Sequence, residues 1–432
     1  MPSTSWGYRA VVRLGAALAP AIGLVDRKVG DGHRQRAGAA GRLAAWAARS
    51  RDPARPLVWF HAASVGEGLQ AESVLLELRR LVPACQIVYT HFSPSAEPLA
   101  RRLAVEAADY LPYDLPAAAD RTLDALAPDL LVFAKLDLWP ELATRAAARG
   151  TTVALVAATV TRGSSRLRWP ARALLRPGYA AVAAAGAIAD GDASRLADLG
   201  VAADRIRVTG DPRFDSVAAR VAAVRPDEPL LRLGHGAPTL VAGSTWAADE
   251  AVVLDAFARL RARRPDARLI LVPHEPTTEH LRALDRRAAQ AGLPAPARLS
   301  AVEAPVPLLA VDRIGVLAAL YGAGTMAYVG GGFGRAGLHS VLEPAAWGLP
   351  VAFGPRWRNS RDAELLLEGG AAVALEAMDP AAAAAALLRT WEQWVADDGL
   401  RAAQGVRARA IVSRGLGAAR RSAEMLSELI SS

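Results

Sequence analysis

From residue 56 onward, short apolar runs alternate with longer stretches in which apolar positions recur every three or four residues. The runs LVWFHA (57–62), QIVYT (86–90), DLLVFA (129–134), TVALVAA (152–158) and IRVTG (206–210) are rich in β-branched and aromatic residues and predict strands. Helical periodicity fills the intervals, around residues 68–81, 116–126 and 140–149. The stretch VRPDEP (224–229) breaks the pattern and predicts a linker, since proline stiffens the chain and apolar density falls there. The alternation then restarts with runs at 239–244, 268–273, 307–311, 325–331 and 350–354, and the last forty residues are mostly helical. Continuous apolar strands separated by helices make parallel sheets covered on both faces. The expectation is an α/β protein of two similar halves, 56–224 and 229–432, behind an N-terminal segment, 1–55.

That first segment has its own character. Residues 6–25 (WGYRAVVRLGAALAPAIGLV) are apolar, with Trp6 and Tyr8 at the head and Arg9 and Arg13 inside. About 20 apolar residues are enough to cross a bilayer. Two arginines and Pro20 favour instead a helix lying in the interface, its cations among anionic headgroups, with an amphipathic helix packed on its own domain as the competing reading. Residues 26–55 read as a polar, basic connector. The net charge of +8 fits this division, because ten basic and three acidic residues up to position 55 supply +7 of it. The body is nearly neutral, which argues against a nucleic-acid groove through the protein. A single cysteine, Cys85, excludes a disulfide framework, and the seven histidines show no metal-ligand spacing.

Candidate chemistry sits where strands end and helices begin, the edge at which open α/β sheets bind ligands. The stretch YVGGGFGRAGLHSVLEPAAWGLPVAFGP (328–355) predicts a strand, a glycine-rich turn and a helix from about 338 to 347. Gly331, Gly332 and their neighbours let backbone N–H groups approach a ligand, and a helix start stabilises phosphate. A tight connection with no ligand is the competing reading. His339, Ser340 and Glu343 would fall on the first helical turn. HAASVGEG (61–68) ends the first strand: Ser64 and Gly66 make a polar turn, and Glu67 stands near a helix start. Glu67 is either a general base or only an N-terminal helix partner. His61 either orients it or is a satisfied core histidine. AKLDLWPEL (134–142) brings Lys135 and Asp137 to the same edge. GDPRFD (210–215) carries Arg213, a cation for a phosphate or a partner of Asp211 or Asp215. His274, in PHEP, is a candidate contact to phosphate or base.

HAASVGEG, LPYD (111–114), KLDLWP, GDPRFD, AGST and GGGFGRAGLHSVLEP occur together and in order, and in this the chain resembles the Kdo transferases of lipopolysaccharide synthesis. These enzymes move 3-deoxy-manno-octulosonic acid (Kdo) from its CMP ester to a lipid A precursor. The resemblance covers residues 56–375. It implies the GT-B fold, two Rossmann-like domains facing across a cleft, with acceptor bound by the first and donor by the second. Residue by residue, it implies Glu67 as catalytic base, Asp137 in place of a commoner Glu, and Arg213 in place of a frequent Lys. Donor contacts fall on Pro273 and His274, on Ile314, Gly315 and Val316, and on Ser340, Val341, Leu342 and Glu343. It further implies CMP-Kdo and lipid A precursor as substrates, no cofactor or metal, no nucleic acid, and residence at the cytoplasmic face of the inner membrane. Two other readings remain open: a GT-B enzyme for another nucleotide sugar, and a non-enzymatic adaptor that uses the basic N-terminus.

Overall fold

The computed structural model describes residues 4–334 and 337–430. The chain forms two compact units: residues up to 216 together with those from 415 onward, and residues 217–414. In the first, strands β1 (Leu57–His61), β2 (Gln86–His91), β3 (Ala107–Tyr110), β4 (Leu130–Ala134), β5 (Thr152–Ala158), β6 (Ala184–Ala187) and β7 (Ile206–Val208) form one sheet. Its order is β3-β2-β1-β4-β5-β6-β7 and every pairing is parallel. The second unit holds β8 (Thr239–Thr245), β9 (Arg268–Pro273), β10 (Ala297–Arg298), β11 (Leu308–Ala310), β12 (Met326–Val329), β13 (Val351–Phe353) and β14 (Ala372–Ala374). They are also all parallel, in the order β10-β11-β9-β8-β12-β13-β14. The expected strands are present. Those without a sequence signal, β3 (AADY), β6 (AAGA), β10 (AR) and β14 (AVA), are short and alanine-rich.

Both faces of each sheet are packed, which is why the strands read as unbroken apolar runs. In β1, Leu57 and Trp59 join one core while Val58 and Phe60 join the other. Two helices at the amino end, α1 (Trp6–Ile22) and α2 (Arg27–Ser50), precede the sheet. The second corrects the expected connector. Asp26 caps its first amides, and Leu43 and Ala47 enter the first core. Its apolar positions are mostly alanines among arginines and glycines, so the periodicity is faint.

Helix α1 is tied to the sheet domain by buried acids. The Tyr8 hydroxyl donates to Asp114 at 2.6 Å, and Arg9 Nε donates to Glu141 at 2.8 Å. Arg9, expected among lipid headgroups, is therefore spent inside the protein. The opposite side of this segment is apolar and bare: Trp6 is 81% exposed, Leu14 61% and Val25 93%. Among the described residues no helix is long and apolar enough to cross a membrane.

The domain boundary also differs from expectation. The last helix, Ala418–Ile430, packs on α3 (Val65–Leu81) in the first unit, with Ala423, Met425 and Leu426 buried there. Asp215 accepts from the amides of Gly417 (2.7 Å) and Ala419 (3.0 Å), and Ser422 Oγ is 3.1 Å from Thr209 Oγ1. Amphipathic spacing announces such a helix but does not name the sheet it will cover. Leu426→Ala should cost about 2–4 kcal/mol of first-unit stability in urea melts, the usual range for a buried leucine. A midpoint unchanged from the parent would contradict this docking.

Candidate active site

A parallel sheet whose strand order reverses leaves a crevice at the reversal, because the two helices that follow depart to opposite faces. In the first unit the reversal lies between β1 and β4. Helix α3, after β1, packs in one core, and the helix Pro140–Ala148, after β4, packs in the other. The connections from these two strands carry Glu67 and Asp137.

Glu67 stands three residues into the capping box that starts α3. Its Oε2 accepts from the Ser64 backbone N–H at 3.1 Å and from the Ser64 hydroxyl at 2.9 Å. Thus the helix-partner reading is correct for one oxygen. The other, Oε1, lies 3.7 Å from the Lys135 ammonium. Helix α3 starts at Val65, so Gly66 lies within its first turn, exposed, with no atom near where a Cβ would stand.

Asp137 faces Glu67. Burial, then the charge of Glu67 and a hydrogen bond to it, push the Asp137 carboxyl up to about 6, against the opposing pull of Arg166 and Lys135. Arg166 Nη2 approaches Asp137 Oδ1 at 3.5 Å. Two carboxyls this close hold a proton between them into the mildly acidic range. Lys135 reaches them from a left-handed backbone position (φ 62°), uncommon outside glycine and typical of constrained functional turns.

His61 does not orient Glu67. It is fully buried, and burial lowers its pKa to about 3. Its Nδ1 lies 3.0 Å from the Thr90 carbonyl, while Nε2 accepts from the Trp139 indole at 3.1 Å. These partners make it a neutral imidazole protonated on Nδ1, and its work is to hold Trp139. Arg213 donates to Asp211 through Nε (2.9 Å) and Nη2 (2.6 Å), the ion-pair alternative for this residue.

In the second unit the order reverses between β8 and β12, and their connections carry Trp246 and the glycine-rich turn. Much of that turn is occupied by the protein itself. A Cβ at Gly330 would stand 2.3 Å from the Ser244 carbonyl, and one at Gly332 2.6 Å from the Gly354 backbone. The Gly331 N–H donates to Asp249 at 3.0 Å, and the His339 N–H donates to the Gly330 carbonyl at 3.1 Å. Asp249 is buried and also accepts from the Tyr328 hydroxyl (2.9 Å) and the Trp246 backbone N–H (3.0 Å). Neither Asp249 nor Trp246 was legible as a site residue. The acid three residues after Trp246, at a helix start, is the signal a capping-box search would have found.

The expected helix 338–347 begins only at Leu342 and ends at Trp347. Residues 337–340 are loop, so His339 and Ser340 precede the helix instead of forming its first turn. Positions 335 and 336 lie outside the described residues. His339 Nε2 accepts from the Trp246 indole at 3.0 Å, and the His274 ring stacks on His339 at 4.3 Å between centroids. Burial, and then His274, lower the His339 pKa to about 4. Pro273 ends β9, beside His274. Ile314 is 80% exposed, next to Gly315 in a left-handed conformation and Val316 at a helix start. Val341 and Leu342 are fully buried, backbone included, so neither reaches a ligand directly. Glu343 is mostly buried and pairs with Arg220 at 3.1 Å; burial raises its pKa. Ser340 is exposed. Among the described residues no cluster of His, Cys, Asp and Glu is arranged to hold a metal.

A family model described as 3-deoxy-D-manno-octulosonic-acid transferase (kdotransferase) matches residues 33–216. The 3-deoxy-D-manno-octulosonic acid transferase of Bordetella pertussis is 31% identical over 412 residues, 88% of this chain and 89% of that one. The chain belongs to the Kdo transferase family. The Haemophilus influenzae Kdo transferase is 26% identical over 312 residues, 70% of this chain and 71% of its own. Among solved structures, the UDP-GlcNAc 2-epimerase of Neisseria meningitidis matches with a TM-score of 0.60 at 10% identity, covering 87% of this chain and 99% of that one. A glycosyltransferase from Rickettsia africae matches with a TM-score of 0.56 at 11% identity, covering 87% and 98%. Both likenesses are of fold: this Kdo transferase has two Rossmann-like domains of the GT-B type.

The raised Asp137 pKa has a stability consequence. Its ionised form is disfavoured in the fold, so the fold loses stability as pH rises from about 4 through about 6. Asp137→Asn should therefore stabilise the protein at pH 8 by about 1–2 kcal/mol after allowing for solvent screening, with the gain gone below pH 4. Thermal melts across that range check it; a variant less stable at pH 8 would contradict the repulsion.

Proposed function

We propose that this glycosyltransferase moves Kdo from CMP-Kdo to a hydroxyl of a lipid A precursor, with inversion at the anomeric carbon. The observation that carries the reading is the Glu67 oxygen that the cap does not use, set beside Asp137 and Lys135 where the sheet order reverses in a Kdo transferase. Glu67 Oε1 takes the proton of the acceptor hydroxyl as its oxygen bonds to the anomeric carbon. The bond from that carbon to the CMP phosphate breaks, and the phosphate leaves with the electron pair. A proton on Asp137 would hydrogen-bond Oε1 and blunt the base, so the active pair is the ionised one. Lys135 offsets the repulsion of that state.

The donor falls to the second unit. The neutral His339, its Nε2 engaged by Trp246, keeps a proton on Nδ1 to offer a phosphate oxygen. Glu343, held by Arg220, is an acceptor for sugar hydroxyls. Arg213, already balanced by Asp211, contributes to the leaving phosphate only if the pair opens. No metal or cofactor enters this scheme. The bare apolar side of α1, with Trp6 at its head, would lie on the anionic cytoplasmic surface of the inner membrane, where such an acceptor resides.

Transfer from CMP-Kdo to a tetra-acylated lipid A precursor by wild type and Glu67→Gln tests the assignment. The variant should lose about 10²–10⁴ in kcat, the usual worth of a general base, with a much smaller change in KM. Undiminished transfer would remove Glu67 from its role. CMP should raise the melting temperature where UDP does not; the reverse would point to another nucleotide sugar.

A further inference from the structure

Between α1, α2 and the sheet edge of the first unit lies a mainly apolar pocket of about 450 Å³, within the roughly 300–1,000 Å³ usual for small-molecule sites. Its walls include Gly15, Lys28, Arg36, Phe92, Tyr113 and Trp139, two of them cationic, and no carboxylate lines it. Arg36 is only 8% exposed. Its guanidinium lies 3.5 Å over the Phe92 ring, Nη2 donates to the Phe92 carbonyl at 2.7 Å and the Tyr113 hydroxyl is a further partner, but Nε has no hydrogen-bond partner. A buried cation without a counter-charge is costly, and an unmade hydrogen bond adds to the cost. Gly15 adds a second oddity. It sits mid-helix, where glycine is unfavourable, yet a side chain there would meet nothing within 4 Å. The helix leaves that space open to the pocket.

The pocket is joined to the carboxylate pair. The amides of Phe92 and Ser93 both donate to the Ala63 carbonyl, at 3.2 and 2.8 Å, next to the Ser64–Glu67 capping box. Trp139 stacks on Phe92 at 5.1 Å and follows Asp137 by two residues. Its orientation is fixed by the indole hydrogen bond to His61.

We infer that this pocket is where the acceptor is read as an anionic amphiphile: one acyl chain enters beside Gly15, and a phosphate on the same molecule meets Arg36 and Lys28. The inference rests on the proposed lipid acceptor and adds the residues that select it. Apolar walls and a buried cation with no carboxylate beside it fit such a ligand; a free anion would leave the walls unused, and a neutral chain would leave Arg36 without a counter-charge.

The test uses calorimetry on the full chain with decyl phosphate below its micelle-forming concentration, alongside decanol and inorganic phosphate. Decyl phosphate should bind saturably to one site, inorganic phosphate at least 100-fold more weakly. Gly15→Phe, which fills open space and favours the helix, should weaken decyl phosphate at least 10-fold while the protein melts like its parent. Arg36→Met should weaken decyl phosphate 10-fold and spare decanol. In transfer assays, Gly15→Phe should raise KM at least 10-fold for the acylated acceptor and leave kcat on a deacylated, water-soluble acceptor unchanged. Equal binding of inorganic phosphate, unsaturable decyl phosphate, or a Gly15→Phe variant matching wild type in binding or in KM would overturn the inference. If wild type transfers no Kdo yet binds decyl phosphate as described, the proposed reaction falls and the amphiphile pocket stands.

Discussion

The candidate site depends on where two parallel sheets reverse their strand order. A parallel strand delivers its following helix to one face or the other, and only at the reversal do neighbouring connections part. There, backbone ends and side chains gather without a helix covering them. In the first unit the reversal lies between β1 and β4 and collects Glu67, Lys135 and Asp137. In the second it lies between β8 and β12 and collects Trp246, Asp249, His339 and the glycine-rich turn. The candidate chemistry is local to those four connections.

The two units place an acid at the same point, three residues into the helix after the first strand at the reversal, and use it differently. Asp249 has both oxygens taken, by the Tyr328 hydroxyl on one side and by the Trp246 and Gly331 amides on the other. It is a fixed anion that shapes the glycine-rich turn. Glu67 spends one oxygen on the cap and turns the other toward an ammonium and a second carboxyl. What separates the two acids is the satisfaction of the second oxygen, not position. Asp137 completes the difference. Its proximity makes ionisation of the pair costly, and the rest of the fold sustains that cost because the strands on either side are buried throughout.

Much of this was legible in the residues. Apolar runs rich in Val, Ile, Leu and Phe announced nearly all the long strands, and the position of Glu67 at a strand-to-helix junction followed from its motif. What was not legible depends on distant partners. The different surroundings of the two Glu67 oxygens depend on Lys135 and Asp137 standing across from it. His61 looked like a neighbour of the base because it is six residues away, but its strand aims it into the core toward Thr90 and Trp139. Five glycines in one turn suggested an open anion cradle. At Gly330 and Gly332 the missing Cβ is needed by the protein's own backbone, and the following helix starts late because the loop must first return His339 to Gly330. The alanine-rich helix α2 and the return of the last helix to the first unit were hidden for a related reason: alanine and arginine spacing predicts a helix weakly and its packing partner not at all.

The central claim is that the acceptor proton goes to a carboxyl whose basicity is set by a second, adjacent carboxyl. The pH dependence of kcat/KM for Kdo transfer, which reports groups of the free enzyme, tests it most directly when wild type and Asp137→Asn are compared. Wild type should gain activity through an acid limb near pH 6, and in the variant that limb should move to lower pH because the repelling charge is gone. An acid limb at the same pH in both proteins would contradict the account.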